Sequence, residues 1–293
     1  MKKLIFIIAV VSVISAAVCG KTRRRQLHIF QGKVPETETL ALETMEFVYD
    51  YSWCVDTTSQ SDENRAGDQM LLQIAPDGLS KFSSFKNLTV DSIIMRSSSE
   101  QIAAAAQSGK LLNGEFMTIY KNFPAGRLTH TEKICMDWFR YEEDMPQFDW
   151  ELTDSVTTVL GHECRGAKTS FRGRQWLVFY AEDIPVMDGP WKLHGLPGLI
   201  MKAIDGNGDY LFECIGIKSK ADRPVTIYKV PFNKTGRKDY YDAKNRYDVN
   251  PYAYYEATGC GRVTISDESG NPIHDAYDPI ALPFDYIEKD WKK

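Results

Sequence analysis

Between Met45 and Trp53 the chain alternates: Met45, Phe47, Tyr49, Tyr51 and Trp53 are separated by Glu46, Asp50 and Ser52, with Val48 the one interruption. A period of two sends successive side chains to opposite faces, so this run predicts a long strand with one buried, aromatic face. Further strands must follow to cover and extend it. "DQMLLQIAPDGLSKFSSF" holds two extended pieces around the turn signal Pro76-Asp77-Gly78. "EFMTIYKNFPAGRLTHTEKI" repeats the pattern around Pro124-Ala125-Gly126. "FDWELTDSVTTVLGHECRGAKTSFRGRQWLVFYAEDIP" reads as three strands, with turns at Gly161, near Gly166, and at Arg172-Gly173. "LIMKAIDGNGDYLFECIGI" centres on Gly206-Asn207-Gly208, a strong hairpin signal, and "IKSKADRPVTIYKV" continues in strands.

Helical signals are fewer. "TVDSIIMRSSSEQIAAAAQSGK" carries an alanine run and a mixed polar face, ending at Ser108-Gly109. "GRKDYYDAKNRYDVNPYAYYEATG" is amphipathic and is predicted helical to Asn250, where Pro251 stops it. The tail beyond is Pro-rich and irregular. Strands following strands disfavour parallel βαβ architecture. The expected fold class is α+β and predominantly antiparallel: a large curved or half-open barrel-like sheet with two or more helices.

"MKKLIFIIAVVSVISAAVCG" has two lysines, an apolar run and then small residues, the pattern of a secretory signal peptide. The run is too short to span a bilayer comfortably, so no integral span is expected after cleavage. Cys19 raises lipidation as an alternative, but Val18 is larger than the residue that normally precedes a lipidated cysteine. The expected organisation is a signal peptide at 1–20, a flexible segment at 21–40 and a single β-rich domain at 41–293. The expected location is exported, periplasmic or outer-membrane-associated. A hydrophobic fraction of 43% supports a buried core, and a net charge of −5 argues against nucleic acid as a partner. The five cysteines after the leader include no CxxC spacing and read as small buried hydrophobes with room for one disulfide. No metal site and no cofactor is expected.

Three motifs invite chemistry. In "GHECRG", His162 and Cys164 lie two apart on one strand face, a spacing compatible with a metal pair or a thiol–imidazole dyad. Gly166 stands where HExxH would need its second histidine, so the bland reading is a turn and a buried cysteine. "DGNGD", Asp205 to Asp209, copies the start of a calcium loop, yet Tyr210 replaces the required glycine, which leaves a hairpin turn. "DIPVMDGPWKLHGLPGLI" is the most constrained loop: Pro185, Pro190 and Pro197 each fix a φ angle. Leu196-Pro197-Gly198-Leu199 fits a type II turn with Gly198 at positive φ. The loop is either a stiff crossover plugging the core or a mouth presenting Trp191, His194, Leu196, Pro197 and Leu199 to a ligand.

The stretch "FRGRQWLVFYAEDIPVMDGPWKLHGLPGLIMKAIDGNGDYLFE" resembles the signature core of the GLPGLI family, exported envelope proteins of Bacteroidota. The resemblance extends from about Met45 to about Tyr255, including "LQIAPDGLSKFSS" and "LGHECRGAKTSFRGR". It implies an envelope location and carries no activity, cofactor or catalytic residue. The layout also resembles, more weakly, half-open barrels of periplasmic lipoprotein carriers. The leading expectation is therefore a non-enzymatic carrier or binding module for an apolar or peptide ligand. The alternatives are an assembly factor for an outer-membrane complex and a hydrolase or thiol enzyme using the His162/Cys164 face.

Overall fold

The computed structural model describes residues 34–58, 64–258, 278–279 and 281–292. The alternating run becomes β2 (Met45–Cys54), with Phe47, Tyr49, Tyr51 and Trp53 buried and Asp50 exposed. It pairs with β3 (Arg65–Ile74), which turns at Pro76–Gly78 into β4 (Ser80–Ser84). Then come the helices α1 (Phe85–Arg96) and α2 (Ser99–Gln107). The single predicted helix is split at Ser97-Ser98, because Ser98 starts α2 with a reciprocal capping box to Gln101.

Strands β5 (Thr118–Lys121), β6 (Arg127–Ile134) and β7 (Asp137–Asp144) continue the meander. Next are β8 (Glu151–Val159), β9 (His162–Phe171), β10 (Arg174–Ala181), β11 (Leu199–Asp205) and β12 (Tyr210–Lys218). Leu160-Gly161 and Arg172-Gly173 both have positive φ at each residue, the backbone of two-residue hairpins matched to strand twist. The turn predicted near Gly166 is absent. Gly166 lies within β9, where a Cβ would stand 2.3 Å from Thr153 Oγ1 on β8, so close strand approach explains the glycine.

After β13 (Pro224–Tyr228) and the short β14 (Phe232–Lys234) the chain forms α3 (Arg237–Val249) and α4 (Pro251–Ala257). Pro251 ends one helix and opens the next at its first turn, with Asn250 Oδ1 accepting from the Ala253 N–H at 3.0 Å.

The class is α+β, with four helices among the described residues and a twelve-stranded sheet ordered β14-β7-β6-β5-β4-β3-β2-β12-β11-β10-β9-β8. All its pairs are antiparallel except β14–β7, and it stays open, with β14 and β8 at its edges. β1 (Thr37–Leu42) pairs with β13 as a separate two-stranded sheet. That small sheet covers the other face of the meander: Lys81 Nζ and the Tyr120 hydroxyl both donate to the Thr226 carbonyl, at 2.8 and 2.9 Å.

One face of the large sheet carries the principal core, which includes Phe47, Tyr49, Phe82, Trp176, Met201 and Phe212. The tail proves structural. Ile287 joins this core, while Phe284, Tyr286 and Trp291 join a second cluster with Tyr141, Tyr240 and Tyr241. Cys54, Cys164 and Cys214 are buried thiols outside any disulfide. Cys19, Cys260, the expected signal peptide and most of the 21–40 segment expected to be flexible lie outside the described residues, while Thr37 to Leu40 of that segment belong to β1. No described helix is long and apolar enough to cross a membrane.

Candidate functional site

The Pro-rich loop is built inward. Trp191, Leu193, Leu196 and Leu199 are all buried in the principal core, with the Trp191 ring 5.5 Å from those of Trp176 and Phe171. Two buried lysines anchor its backbone and side chains. Lys121 pairs with Asp188 and donates to the carbonyls of Gly189 at 2.7 Å and Leu193 at 3.2 Å. Lys192 pairs with Glu143 and, at 2.6 Å, with Glu288 of the tail. The predicted type II turn is not formed as expected. Gly198 lacks a positive φ, and its N–H donates to the Leu196 carbonyl at 2.8 Å. Gly198 is needed because a Cβ would lie 2.1 Å from the Ala181 carbonyl oxygen; the left-handed positions are Gly195 (φ 94°) and Trp191 (φ 53°).

Of the five residues predicted to meet a ligand, only Pro197 is exposed and His194 half-buried. Trp191, Leu196 and Leu199 are enclosed by protein, so the loop is a plug over the apolar face. The Trp150 indole donates to the His194 carbonyl at 3.1 Å. Burial, reinforced by the Lys121 charge, pushes the His194 imidazole down to about 4, so it is neutral near pH 7.

His162 and Cys164 share β9 but turn to different partners. His162 Nδ1 lies 2.6 Å from Asp183 Oδ2, whereas the Cys164 sulfur rests 3.7 Å from Met201 Sδ. Burial raises the Cys164 pKa, which disfavours the thiolate that nucleophilic chemistry requires. The DGNGD carboxylates are also spoken for: Arg174 pairs with Asp205 at 2.6 Å and Asp209 at 3.0 Å, and Asp205 Oδ1 caps the Tyr210 N–H at 2.7 Å. Among the described residues no cluster of three or more His, Cys, Asp or Glu could hold a metal ion.

The open site is on the opposite face. On β4 the pattern Lys81-Phe82-Ser83 sends Phe82 into the core and Lys81 and Ser83 to the reverse side. There they register with Tyr120 and Thr118 of β5, beneath α1 and β13. These elements leave a cleft enclosing about 90 Å³. Its apolar wall is Leu88 and Ile94 of α1, Phe116 and Trp138 of β7, the last 5.0 Å from the Tyr228 ring.

The polar groups of the cleft include Lys81, Ser83, Asn87, Asp91, Lys133 and Tyr228. The Tyr228 hydroxyl donates to Asp91 Oδ2. Burial raises the Asp91 pKa, an effect opposed by that hydrogen bond and by the Lys81 charge. Burial likewise pulls Lys81 down to about 8, and lowers Lys133. Asn87 is engaged at both ends, donating to the Glu115 carbonyl at 2.7 Å and accepting from the Gly114 N–H at 2.9 Å. Ser83, 5% exposed, has a hydroxyl with no hydrogen-bond partner. An unsatisfied buried polar group costs about 1–3 kcal/mol, so this hydroxyl marks a place where a further partner would be stabilising.

Sequence reasoning missed this cleft. Its residues come from β4, α1, β5, β6, β7 and β13, and the one local signal was Lys81 alternating with Phe82 on a predicted strand.

No family model and no curated protein matches the chain. Two solved structures of PNGF-II show a distant likeness, in the P21 and C2 space groups, at 15% and 16% identity with TM-scores of 0.44 and 0.43. Each comparison covers 68% of this chain and 32% of PNGF-II, so the chain spans about a third of that protein's length. A likeness this distant assigns neither fold nor function.

Proposed function

We propose that this chain is an exported, GLPGLI-type envelope protein that acts as a non-enzymatic binding module. Its ligand seat is the cleft between α1, β4, β5 and β13. The observation that carries this reading is the Ser83 hydroxyl, buried and unpartnered in a cleft with apolar walls. Well-formed ligand sites combine such walls with a few convergent polar groups. Size narrows the ligand. A single water needs about 10–15 Å³ of such volume, so a cleft of about 90 Å³ receives the end of a ligand and does not engulf an acyl chain. The face that a half-open lipid carrier would use is filled by the Trp191 plug. An apolar or peptide ligand that inserts one end remains consistent with both facts.

Native mass spectrometry of the full chain purified from its own host tests this reading. A bound small molecule or peptide, lost in a Ser83→Trp variant that keeps the wild-type melting temperature, is the expected result. Ligand retained in that variant would sink the assignment. The same spectrum reports whether the leader is removed and whether Cys19 is lipidated.

An assembly role is the second reading, and it rests on β8. This edge strand exposes Leu152 and Val156, although the charges of Glu151 and Asp154 and a register break between those two apolar residues oppose pairing. Leu152→Lys with Val156→Lys leaving envelope complexes unchanged on native gels would remove it.

A further inference from the structure

We infer that the cleft takes an uncharged carboxamide, its carbonyl oxygen accepting from Ser83 and Lys81, its N–H donating to Asp91, and its apolar body against Leu88, Ile94 and Trp138. This rests on reading the cleft as a ligand seat and adds the chemistry of the ligand.

Charge supplies the first argument. Lys81 of β4 and Asp91 of α1 line the same space with opposite charges, and each is close enough to shift the other's titration. They do not meet in an ion pair. Lys81 Nζ contacts the Thr226 carbonyl at 2.8 Å and Thr226 Oγ1 at 3.5 Å, while Asp91 accepts the Tyr228 hydroxyl on Oδ2. A carboxylate between them would be repelled by Asp91 and an ammonium by Lys81, and either would be buried as an excess charge. A neutral group leaves the balance intact. The other ammonium of the cleft, Lys133, lies over the Trp138 ring, 5.9 Å from its centroid. Tyr120 and Tyr228 are neutral phenols whose pKa values are raised by burial.

Hydrogen-bonding capacity supplies the second. An ammonium has three N–H donors, and Lys81 uses two, the second in a long contact. Ser83 stands two residues along the same strand face and adds an O–H without an acceptor. Asp91 Oδ1 takes no hydrogen bond from the protein, since the Tyr228 hydroxyl goes to Oδ2. The strand therefore offers donors and the helix an acceptor. A carboxamide presents C=O and N–H side by side and complements both. An alcohol has one atom for both tasks, and an ester has no donor.

Size supplies the third. The enclosed volume of about 90 Å³ accepts a head group and a few carbons against the aliphatic wall of α1. A carboxamide with a short apolar body satisfies all three conditions, whether it arrives as a simple acyl amide or as an amide group of a peptide.

Calorimetric titration of the full chain at pH 7 with octanamide, octanoate, octylammonium and octan-1-ol tests the inference. Octanamide is expected to bind at least about tenfold more tightly than either charged analogue, and more tightly than octan-1-ol. Asp91→Asn leaves Lys81 unbalanced and is expected to tighten octanoate about tenfold while weakening octylammonium. Lys81→Met is expected to do the reverse. A reversal of charge preference is something that purely structural residues would not produce, and Asp91→Asn tests it even if Lys81→Met fails to fold. Ser83→Ala is expected to weaken octanamide severalfold while the melting temperature holds or rises. Lys133→Met is expected to leave the order of the four probes unchanged. N-acetyl-leucine amide against N-acetyl-leucine separates the sources: a preference for the amide assigns the ligand to peptides, and equal affinities assign it to acyl amides.

Octanoate or octylammonium binding as tightly as octanamide would overturn the carboxamide inference and leave the binding-module reading standing. So would octan-1-ol matching octanamide, N-acetyl-leucine outbinding its amide, a changed order in Lys133→Met, or a charge preference unmoved by Asp91→Asn. Failure of every probe to bind would dispose of both.

Discussion

The two faces of the twelve-stranded sheet use the same strands for opposite ends. On one face Phe82 packs with Phe212 and Tyr49 beneath the Trp191 plug, and two buried lysines hold that plug closed. On the other, Lys81 and Ser83 lie under α1 and β13, which leave a cleft. Both faces bury lysines, but in different company. Lys121 and Lys192 have direct carboxylate partners, whereas Lys81 donates to the carbonyl and, more distantly, the hydroxyl of Thr226. The comparison teaches that buried lysines are held in two ways, by direct carboxylate bridges in the plug and by a carbonyl, with Asp91 acting through space, in the cleft.

The contrast can be broken from the plugged side first. Trp191→Ala should destabilise the fold by roughly 3–5 kcal/mol in a urea titration, the usual range for a fully buried tryptophan. Trp138→Ala, at the half-buried cleft wall, should cost less than half of that. Equal effects would remove the distinction between the faces.

Glu288 makes the same point through pH. Burial would raise its pKa, but Lys192, Arg172 and Arg237 outweigh burial and hold it at about 2. A carboxyl depressed from its ordinary 4.5 stabilises the fold above that value and loses the contribution as pH falls through about 2. The chain should therefore shed about 3 kcal/mol between about pH 4.5 and 2 from this group. Glu288→Gln should flatten that part of the acid-unfolding curve while lowering stability at pH 7, because it leaves Lys192 poorly matched.

Smaller effects separate two glycines of the plug. Gly198→Ala forces a Cβ to within 2.1 Å of a carbonyl oxygen and should cost about 1–3 kcal/mol. Gly195→Ala meets no close atom and only has to hold φ 94°, which should cost about 1 kcal/mol in the same titration. The reversed order would mean that the loop turns as a type II corner after all. Smallest, and opposite in sign, Ser83→Ala should leave stability unchanged or raise it by up to about 1 kcal/mol, because it deletes a hydroxyl without a partner.

Much of the fold was legible in local patterns. Alternation in β2, the Pro76-Asp77-Gly78 turn and the Gly206-Asn207-Gly208 hairpin all report backbone preferences that a few neighbouring residues decide. The errors share a cause. Gly166 and Gly198 were read as turn glycines, yet each is glycine because another strand's atoms crowd its missing Cβ. Trp191 was read as a residue a loop could offer to a ligand, because a stiff loop looks the same in sequence whether its aromatic ring faces inward or outward. The calcium-like aspartates were correctly read as a turn, but their partner, Arg174, could not be seen from the motif itself.

The sequence by itself determined most of the strands, their hairpin connections and which strand residues share a face, since these follow from periodicity and from φ preferences within a few residues; β1, α4 and the pairing of β2 with β12 were not among them. Tertiary structure alone decided which of two amphipathic faces is sealed and which is open. That outcome depends on where the Trp191 loop, the irregular tail, α1 and β13 come to rest. It also decided that Lys81, Ser83, Asp91 and Tyr228 meet, because long-range packing brings together side chains from β4, α1 and β13 that no local pattern relates.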